Sequence, residues 1–213
     1  MSKSLREPIF TLTTHRIEAL GDGVFAIVMT LLILEIHVPQ SHGGGGLASA
    51  LAAMWPKFLC YGISFVTLGV YWVAHHLHFY TIKRANRALL WINILFLMCV
   101  SVVPFSTALI GEHYQERTAV VFFGVNMILI SLVLYLHWAY ATRGHRLVDP
   151  EITPRFVTSV KHVILMGPAV YIIAIGSSFL NTKISLALYL LVNLLYIIPG
   201  GAHLYLKHRP ANS

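Results

Sequence analysis

Long apolar segments dominate this chain of 213 residues and constrain its fold more than any other feature. A helix needs about 20 apolar residues to cross the hydrocarbon core of a bilayer, which is about 30 Å thick. Six segments meet this requirement, at residues 17–38, 47–80, 88–110, 118–141, 156–180 and 184–206. Only 11% of the residues are charged, whereas a soluble domain carries about 25%. The sequence therefore predicts an all-α integral membrane protein with one six-span domain over residues 1–213.

Two features of these segments suggest departures from straight spanning helices. The second segment is longer than a bilayer requires, and residues 74–87 at its end carry three histidines, two arginines and a lysine. We therefore expect this part of the helix to project into the cytoplasm. Proline removes a backbone donor, so Pro104 should kink the third span and Pro168 the fifth.

The distribution of lysine and arginine predicts the orientation. With six spans, twelve of these cations fall on one side, and only Lys57, Arg117 and Lys183 fall on the other. The positive-inside rule makes the basic side cytoplasmic, so both termini should lie in the cytoplasm.

Several functional classes fit the sequence poorly. The basic residues form short clusters between apolar segments instead of one folded basic face, so we expect no nucleic-acid partner. No catalytic arrangement of Ser, Cys, His and Asp is visible. The connections between the segments also leave no room for a soluble catalytic domain, so we expect that the protein is not an enzyme. His75 and His78 are three residues apart, as metal ligands can be, but no carboxylate lies nearby in sequence. We expect neither a metal site nor a cofactor.

The first helix carries an unusual set of charges for a membrane span. Arg16, Glu18 and Asp22 lie near its cytoplasmic end, and Glu35 lies at the other end. Asp22 is about 9 Å along the helix axis from Arg16. A carboxylate at that depth costs a few kcal/mol unless it is paired or faces water. Asp22 is therefore expected either to bond a neighbouring helix or to border a water-filled cavity, while Arg16 can anchor the helix at the headgroups.

The same helix carries an apolar stripe. Ile27, Leu31 and Leu34 follow the spacing i, i+4, i+7 and share one face, with Thr30 beside them. Such a stripe can pack against a neighbouring helix. It can also line a pore, where symmetric copies form apolar rings that gate by dewetting. Periodicity does not choose between the two.

A family resemblance adds to these observations. Arg16-x-x-x-Leu20-Gly21-Asp22 resembles the Arg-x-x-x-Phe-Ser-Asp pattern in the first helix of the transmembrane protein 175 family, which includes bacterial relatives of the endolysosomal potassium channel. Leucine and glycine replace the phenylalanine and the serine of that pattern. Residues 71–76, 90–93 and 103–107 are similar to later stretches of the same family and occur in the expected order.

The resemblance implies a homotetramer in which the first helix of each subunit lines a central pore. Ile27, Leu31 and Leu34 would form the hydrophobic constriction, and Thr30 would favour potassium. No TVGYG-like filter occurs, so selectivity would come from this dehydrating constriction. A polar network would contain Arg16, Asp22, Trp72, His75, His76 and Trp91.

The acidic residues of the first helix fit the same hypothesis. Rings of Asp22 and Glu35 near opposite pore mouths would raise the local concentration of cations. Gly21 cannot donate the hydrogen bond of the serine that it replaces, so closure or assembly would differ in this chain.

The function implied is a potassium-selective cation channel in the cell membrane, with the bacterial inner membrane as the expected location. Its partners would be copies of itself, the lipid bilayer and permeant potassium ions. Two alternatives remain open from the residues alone. Asp22 and the histidines would suit a proton-coupled membrane transporter, and His137 with His162 would be candidates for a haem-carrying subunit.

Overall fold

The computed structural model describes residues 14–39 and 46–197, and all the regular elements in this part of the chain are helices apart from one isolated bridge between Ile82 and Val148. Predictions that concern the remaining residues, including the end of the sixth segment at 198–206, lie outside the described part. The α-helices are α1 (Thr14–Leu34), α2 (Gly46–Ala53), α3 (Trp55–Thr81), α4 (Arg87–Ser101), α5 (Val103–Glu112), α6 (Arg117–Thr142), α7 (Pro154–Ser177) and α8 (Thr182–Ile197). A single 3₁₀ turn, Arg143–His145, follows α6.

Five helical stretches of the described residues are long and apolar enough to cross a membrane. They are Thr14–Leu34, Trp55–Thr81, Arg87–Glu112, Arg117–His145 and Pro154–Ser177. The described part of α8 is apolar but shorter, with 16 residues. These lengths confirm an all-α, multi-pass membrane protein.

The second predicted span is wrong in one respect. It is not one helix over residues 47–80, because the chain breaks at Met54 and α3 begins afresh with Pro56 in its first turn. Proline is favoured there because the first N–H groups of a helix have no intrahelical partner. The projection of residues 74–87 into the cytoplasm stays a prediction, but the last turns of α3 pack within the bundle. His75 and His78 are buried against α4 and α6, and α3 ends at Thr81.

The two internal prolines behave differently. The kink predicted at Pro104 coincides with an interruption of the third span, because α4 ends at Ser101 and α5 begins at Val103, one residue before Pro104. The N–H of Val102 turns back to the carbonyl of Cys99 at 3.3 Å. By contrast, α7 continues through Pro168 as one helix.

Contacts between helix ends show that the helices alternate in direction. At one end of the bundle, the Lys57 ammonium bonds Glu112 at 3.0 Å, and the Arg117 guanidinium lies 4.4 Å from the centre of the Phe179 ring. At the other end, the backbone N–H groups of Lys83 and Arg84 donate to the carbonyl of Leu147 at 2.9 and 3.2 Å.

We call this second end the basic end, because most cations of the described residues lie there. Those at the basic end are Arg16, Lys83, Arg84, Arg87, Arg143, Arg146, Arg155 and Lys161. Those at the opposite end are Lys57, Arg117 and Lys183. This division of the cations between the two ends of the bundle agrees with the one predicted from the sequence.

Gly124 of α6 is the most crowded of the described glycines. An added Cβ there would collide with the Tyr189 hydroxyl of α8 and would lie 2.7 Å from Ile175 Cγ1 of α7. The Tyr189 hydroxyl is held in place because it donates to the Val120 carbonyl at 2.9 Å. Gly124 therefore lets three helices meet at one level of the bundle.

We expect Gly124→Ala to lower the free energy of unfolding by about 1–3 kcal/mol, as overpacking of a filled core does. The measurement is an SDS titration of the purified protein in mixed micelles. Gly176→Ala is the matched control, because nothing lies within 4 Å of its added Cβ. Alanine is the better helix former by about 1 kcal/mol, so the control should be neutral or stabilising. Equal losses in both variants would contradict this account of the contact.

Candidate pore-lining surface

The first helix has one face packed inside its own subunit. Ile17, Gly21, Phe25, Val28 and Leu32 are buried, at the spacing of a single helix face. They pack against α3, α4 and α5. Phe25 sits at the centre of this contact, 6.0 Å from the Phe96 ring of α4 and 6.1 Å from the His75 ring of α3.

The predicted stripe lies on the other face and remains free within the subunit. The exposed fractions of Ile27, Leu31 and Leu34 are 60%, 40% and 68%. An added Cβ at Gly23, one turn before Ile27, would also meet open space. The stripe is therefore not packed against a helix of its own subunit, which was one of its two interpretations.

Thr30 lies on the exposed side of α1 beside this stripe. Its hydroxyl donates back to the carbonyls of Ala26 at 3.0 Å and Ile27 at 2.8 Å. Because the hydroxyl hydrogen is used inside the helix, the oxygen can offer its remaining lone pairs outward. The side chain is thus arranged to accept from a donor or to contact a cation.

At the basic end, the acidic residues of α1 contact α3. The Trp72 indole N–H donates to Asp22 Oδ1 at 2.9 Å. One turn further on, His76 Nδ1 lies 3.1 Å from Glu18 Oε1. The Trp72 and His76 rings stack at 5.9 Å. These contacts join the two helices by a short polar ladder and give Asp22 an interhelical partner.

His75 occupies a buried position behind this ladder. Its Nε2 donates to Asn93 Oδ1 at 2.8 Å, and its ring stacks on Phe96 at 5.3 Å. An added Cβ at Gly21 would lie 2.7 Å from His75 Cε1, so α1 can approach α3 this closely only with glycine at that position.

The remaining predicted site residues are not brought into this cluster. Arg16 is exposed and has no ion pair or hydrogen bond among the described residues. Trp91 is 59% exposed and makes no hydrogen bond or ring contact with another described residue. Glu35 lies just beyond the end of α1, exposed, at the end of the bundle opposite the basic end.

Three polar contacts were missed by the sequence reasoning. They are the contacts of Glu18 with His76, of His75 with Asn93, and of His78 with His137. The Nδ1 atoms of His78 and His137 lie 3.4 Å apart, and both rings are buried. Each contact depends on how α3 docks against α1, α4 or α6, which the periodicity of a single segment does not show.

The described residues contain no group of three or more His, Cys, Asp or Glu side chains that could hold a metal ion.

Comparison with known proteins decides the family. The chain matches the family described as "Endosomal/lysosomal potassium channel TMEM175" over residues 16–104. A potassium channel of Streptomyces collinus is 37% identical over 185 residues, which are 85% of this chain and 90% of that protein. The chain belongs to the TMEM175 family.

Two further relatives of this TMEM175 protein are informative. The crystal structure of a lysosomal potassium-selective channel TMEM175 homologue from Chamaesiphon minutus superposes with a TM-score of 0.78 at 34% identity, covering 86% of this chain and 95% of the other. The human endosomal/lysosomal proton channel TMEM175 is 40% identical over 126 residues, 55% of this chain and 23% of its own length. The shared fold is therefore that of the shorter bacterial members.

We expect Trp72→Phe to lower the free energy of unfolding by about 1 kcal/mol, because it deletes the bond to Asp22 at a partly exposed site. The matched control is Trp91→Phe, which removes an exposed indole without a described partner and should change stability by less than about 0.5 kcal/mol. SDS titration in mixed micelles measures both. A loss in Trp91→Phe as large as that in Trp72→Phe would place Trp91 in the same network.

Proposed function

We propose that the chain is the subunit of a potassium-selective cation channel. The homologues named potassium channels and the potassium-selective structural homologue support this function. The observation that carries the mechanism is the free apolar face of α1. Copies of this face would meet around a central axis in a homotetramer, and Ile27, Leu31 and Leu34 would form the hydrophobic constriction.

The charges around the stripe favour a pore over a lipid-facing surface. Arg16 and Asp22 lie on the exposed part of α1 at the basic end, and Glu35 lies beyond its other end. Charged groups in membrane spans usually face a water-filled cavity or a protein partner, because lipid solvates them poorly. An apolar stripe with charges at both ends fits two aqueous mouths joined by a narrow dry segment.

The proposed pore would discriminate between ions by dehydration. Apolar rings exclude water from a narrow passage, and an ion that enters must shed part of its hydration shell. A ring of Thr30 hydroxyl oxygens next to Ile27 would replace some of that water. The outward lone pairs of Thr30 support this role, since its hydrogen is bonded to the helix backbone. Potassium is less strongly hydrated than sodium and would pass more readily.

The proposed topology has six spans, with α4 and α5 forming one broken span and α8 contributing the last. The basic end would face the cytoplasm, as the positive-inside rule requires. Both termini would then be cytoplasmic, in the inner membrane of a bacterium. Glu35 would stand at the external mouth and attract cations there.

The first test is potassium flux into liposomes that contain the purified tetramer. We expect Leu31→Ala to raise the potassium leak by about tenfold or more, because shorter side chains widen and wet the constriction. The control is Leu129→Ala on α6, which shortens another exposed leucine outside α1 and should leave flux unchanged.

Folded protein that carries no potassium at any voltage, together with no response to Leu31→Ala, would overturn the proposed channel. Flux that saturates and is driven uphill by a pH gradient would instead favour the proton-coupled transporter.

The second test concerns selectivity. Thr30→Val keeps the shape of the side chain and removes its oxygen, so we expect the ratio of potassium to sodium permeability to fall by about three- to tenfold. Thr158→Val is the matched control, because the Thr158 hydroxyl likewise donates to a carbonyl one turn back, that of Pro154, but lies at the start of α7. An unchanged ratio in Thr30→Val would remove Thr30 from the selectivity mechanism.

A further inference from the structure

A deep groove opens on the side of the bundle between α3 and α7, with α6 and α8 forming its floor. Its volume is about 540 Å³, within the range of sites that hold small ligands. Its walls are almost wholly apolar and include Phe65, Val66, Val70, Leu77 and Ile164. Neither the free face of α1 nor the polar ladder accounts for this groove.

The few polar groups in the groove are already bonded to the protein. The Thr67 hydroxyl donates to Asn193 Oδ1 at 2.9 Å, and the Tyr196 hydroxyl donates to the Val163 carbonyl at 2.8 Å. The Tyr71 hydroxyl bonds Ser131 Oγ at 2.7 Å. An occupant would therefore gain little from hydrogen bonds, and the groove suits a hydrocarbon.

At the basic end of the groove, the residues of α3 change from apolar to polar. Tyr80 follows Leu77 by one turn on the same helix face, and its side chain is 71% exposed. Lys83 Nζ lies 5.4 Å from the centre of the Tyr80 ring and 3.1 Å from the Tyr80 carbonyl oxygen. Lys83 has no carboxylate partner among the described residues. An apolar groove that leads to an exposed aromatic ring and to a cation without a described carboxylate partner complements an amphiphile with an anionic headgroup.

We propose that this groove binds one acyl chain of an anionic phospholipid, with Lys83 contacting the phosphate. A slender hydrocarbon chain fits the volume. Clusters of cations at the cytoplasmic membrane surface attract anionic headgroups, by about fivefold for each lysine.

The bound acyl chain would touch the contact between α1 and α3. Met29 of α1 and Trp72 of α3 both line the groove, and the same Trp72 bonds Asp22. A lipid in this position would pack directly behind the polar ladder and hold the two helices together. Its effect on conduction rests on the proposed pore, whereas the binding itself does not.

Native mass spectrometry of the purified full chain tests the site, with palmitoyl-oleoyl phosphatidylglycerol as the probe and phosphatidylcholine as its neutral counterpart. Gly69 lines the groove, and nothing lies within 4 Å of an added Cβ there. We expect Gly69→Phe to lower phosphatidylglycerol binding by about tenfold, because the ring takes the place of about two methylene groups.

Gly62→Phe is the matched control. It lies two turns earlier on α3, its added Cβ also meets open space, and it does not line the groove. It should bind lipid like the parent protein. Gly69→Leu, a smaller filler, provides a second variant if the phenylalanine prevents purification, and should give a smaller loss of the same sign.

Lys83→Gln tests the headgroup contact. It should weaken the binding of phosphatidylglycerol by about fivefold and that of phosphatidylcholine by less, because the choline cation already offsets the phosphate charge there. This readout separates the anionic contact from the fit of the acyl chain.

Three results would overturn the proposal. Gly69→Phe could retain as much lipid as Gly62→Phe, which would show that the groove is not the binding site. Gly69→Phe could dissociate the oligomer with no change in lipid bound per subunit, which would assign the groove to a subunit contact. Removal of residues 198–213 could raise lipid binding in the parent but not in Gly69→Phe, which would show that the chain's own end fills the groove. None of these outcomes depends on whether the protein conducts potassium.

Discussion

The close contact of α1 with α3 is the constraint on which the rest of the structure depends. Gly21 lets the two backbones approach until the space for a Cβ is taken by His75, and Asn93 holds His75 in place. This contact fixes the rotation of α1 about its own axis. Once Gly21 and Phe25 face inward, Ile27 and Leu34 must face outward, because residues at those offsets lie on different sides of a helix.

The glycine at position 21 also has a local physical explanation. The family pattern has a serine there, but a serine in this chain would bring its Cβ into the His75 ring. The bonds that tie α1 to α3 are instead made by neighbouring side chains, from Asp22 to Trp72 and from Glu18 to His76. Glycine at position 21 thus allows close backbone packing, and the polar contacts between the two helices lie beside it.

Much of the fold and part of the candidate site could be predicted from the sequence because they depend on short-range periodicity. Spacing alone places Ile27, Leu31 and Leu34 on one face, and hydropathy alone marks the spans. The division of the second segment at Met54 was missed because the residues on both sides of it are apolar. The pairing of His75 with Asn93 was missed because it depends on how α3 and α4 dock, and the periodicity of each helix does not show that.

The two faces of α1 provide a way to separate folding from conduction. Substitutions on the packed face act on helix contacts within one subunit, whereas the exposed stripe has no such contacts to lose. Shortening Val28 should therefore lower stability, because its side chain is buried in the core of the subunit. If the stripe instead faced lipid, neither stability nor ion flux would respond strongly to shortening Leu31. Substitutions on the exposed face of α1 therefore test the proposed pore directly, because they change ion flux only if that face lines it.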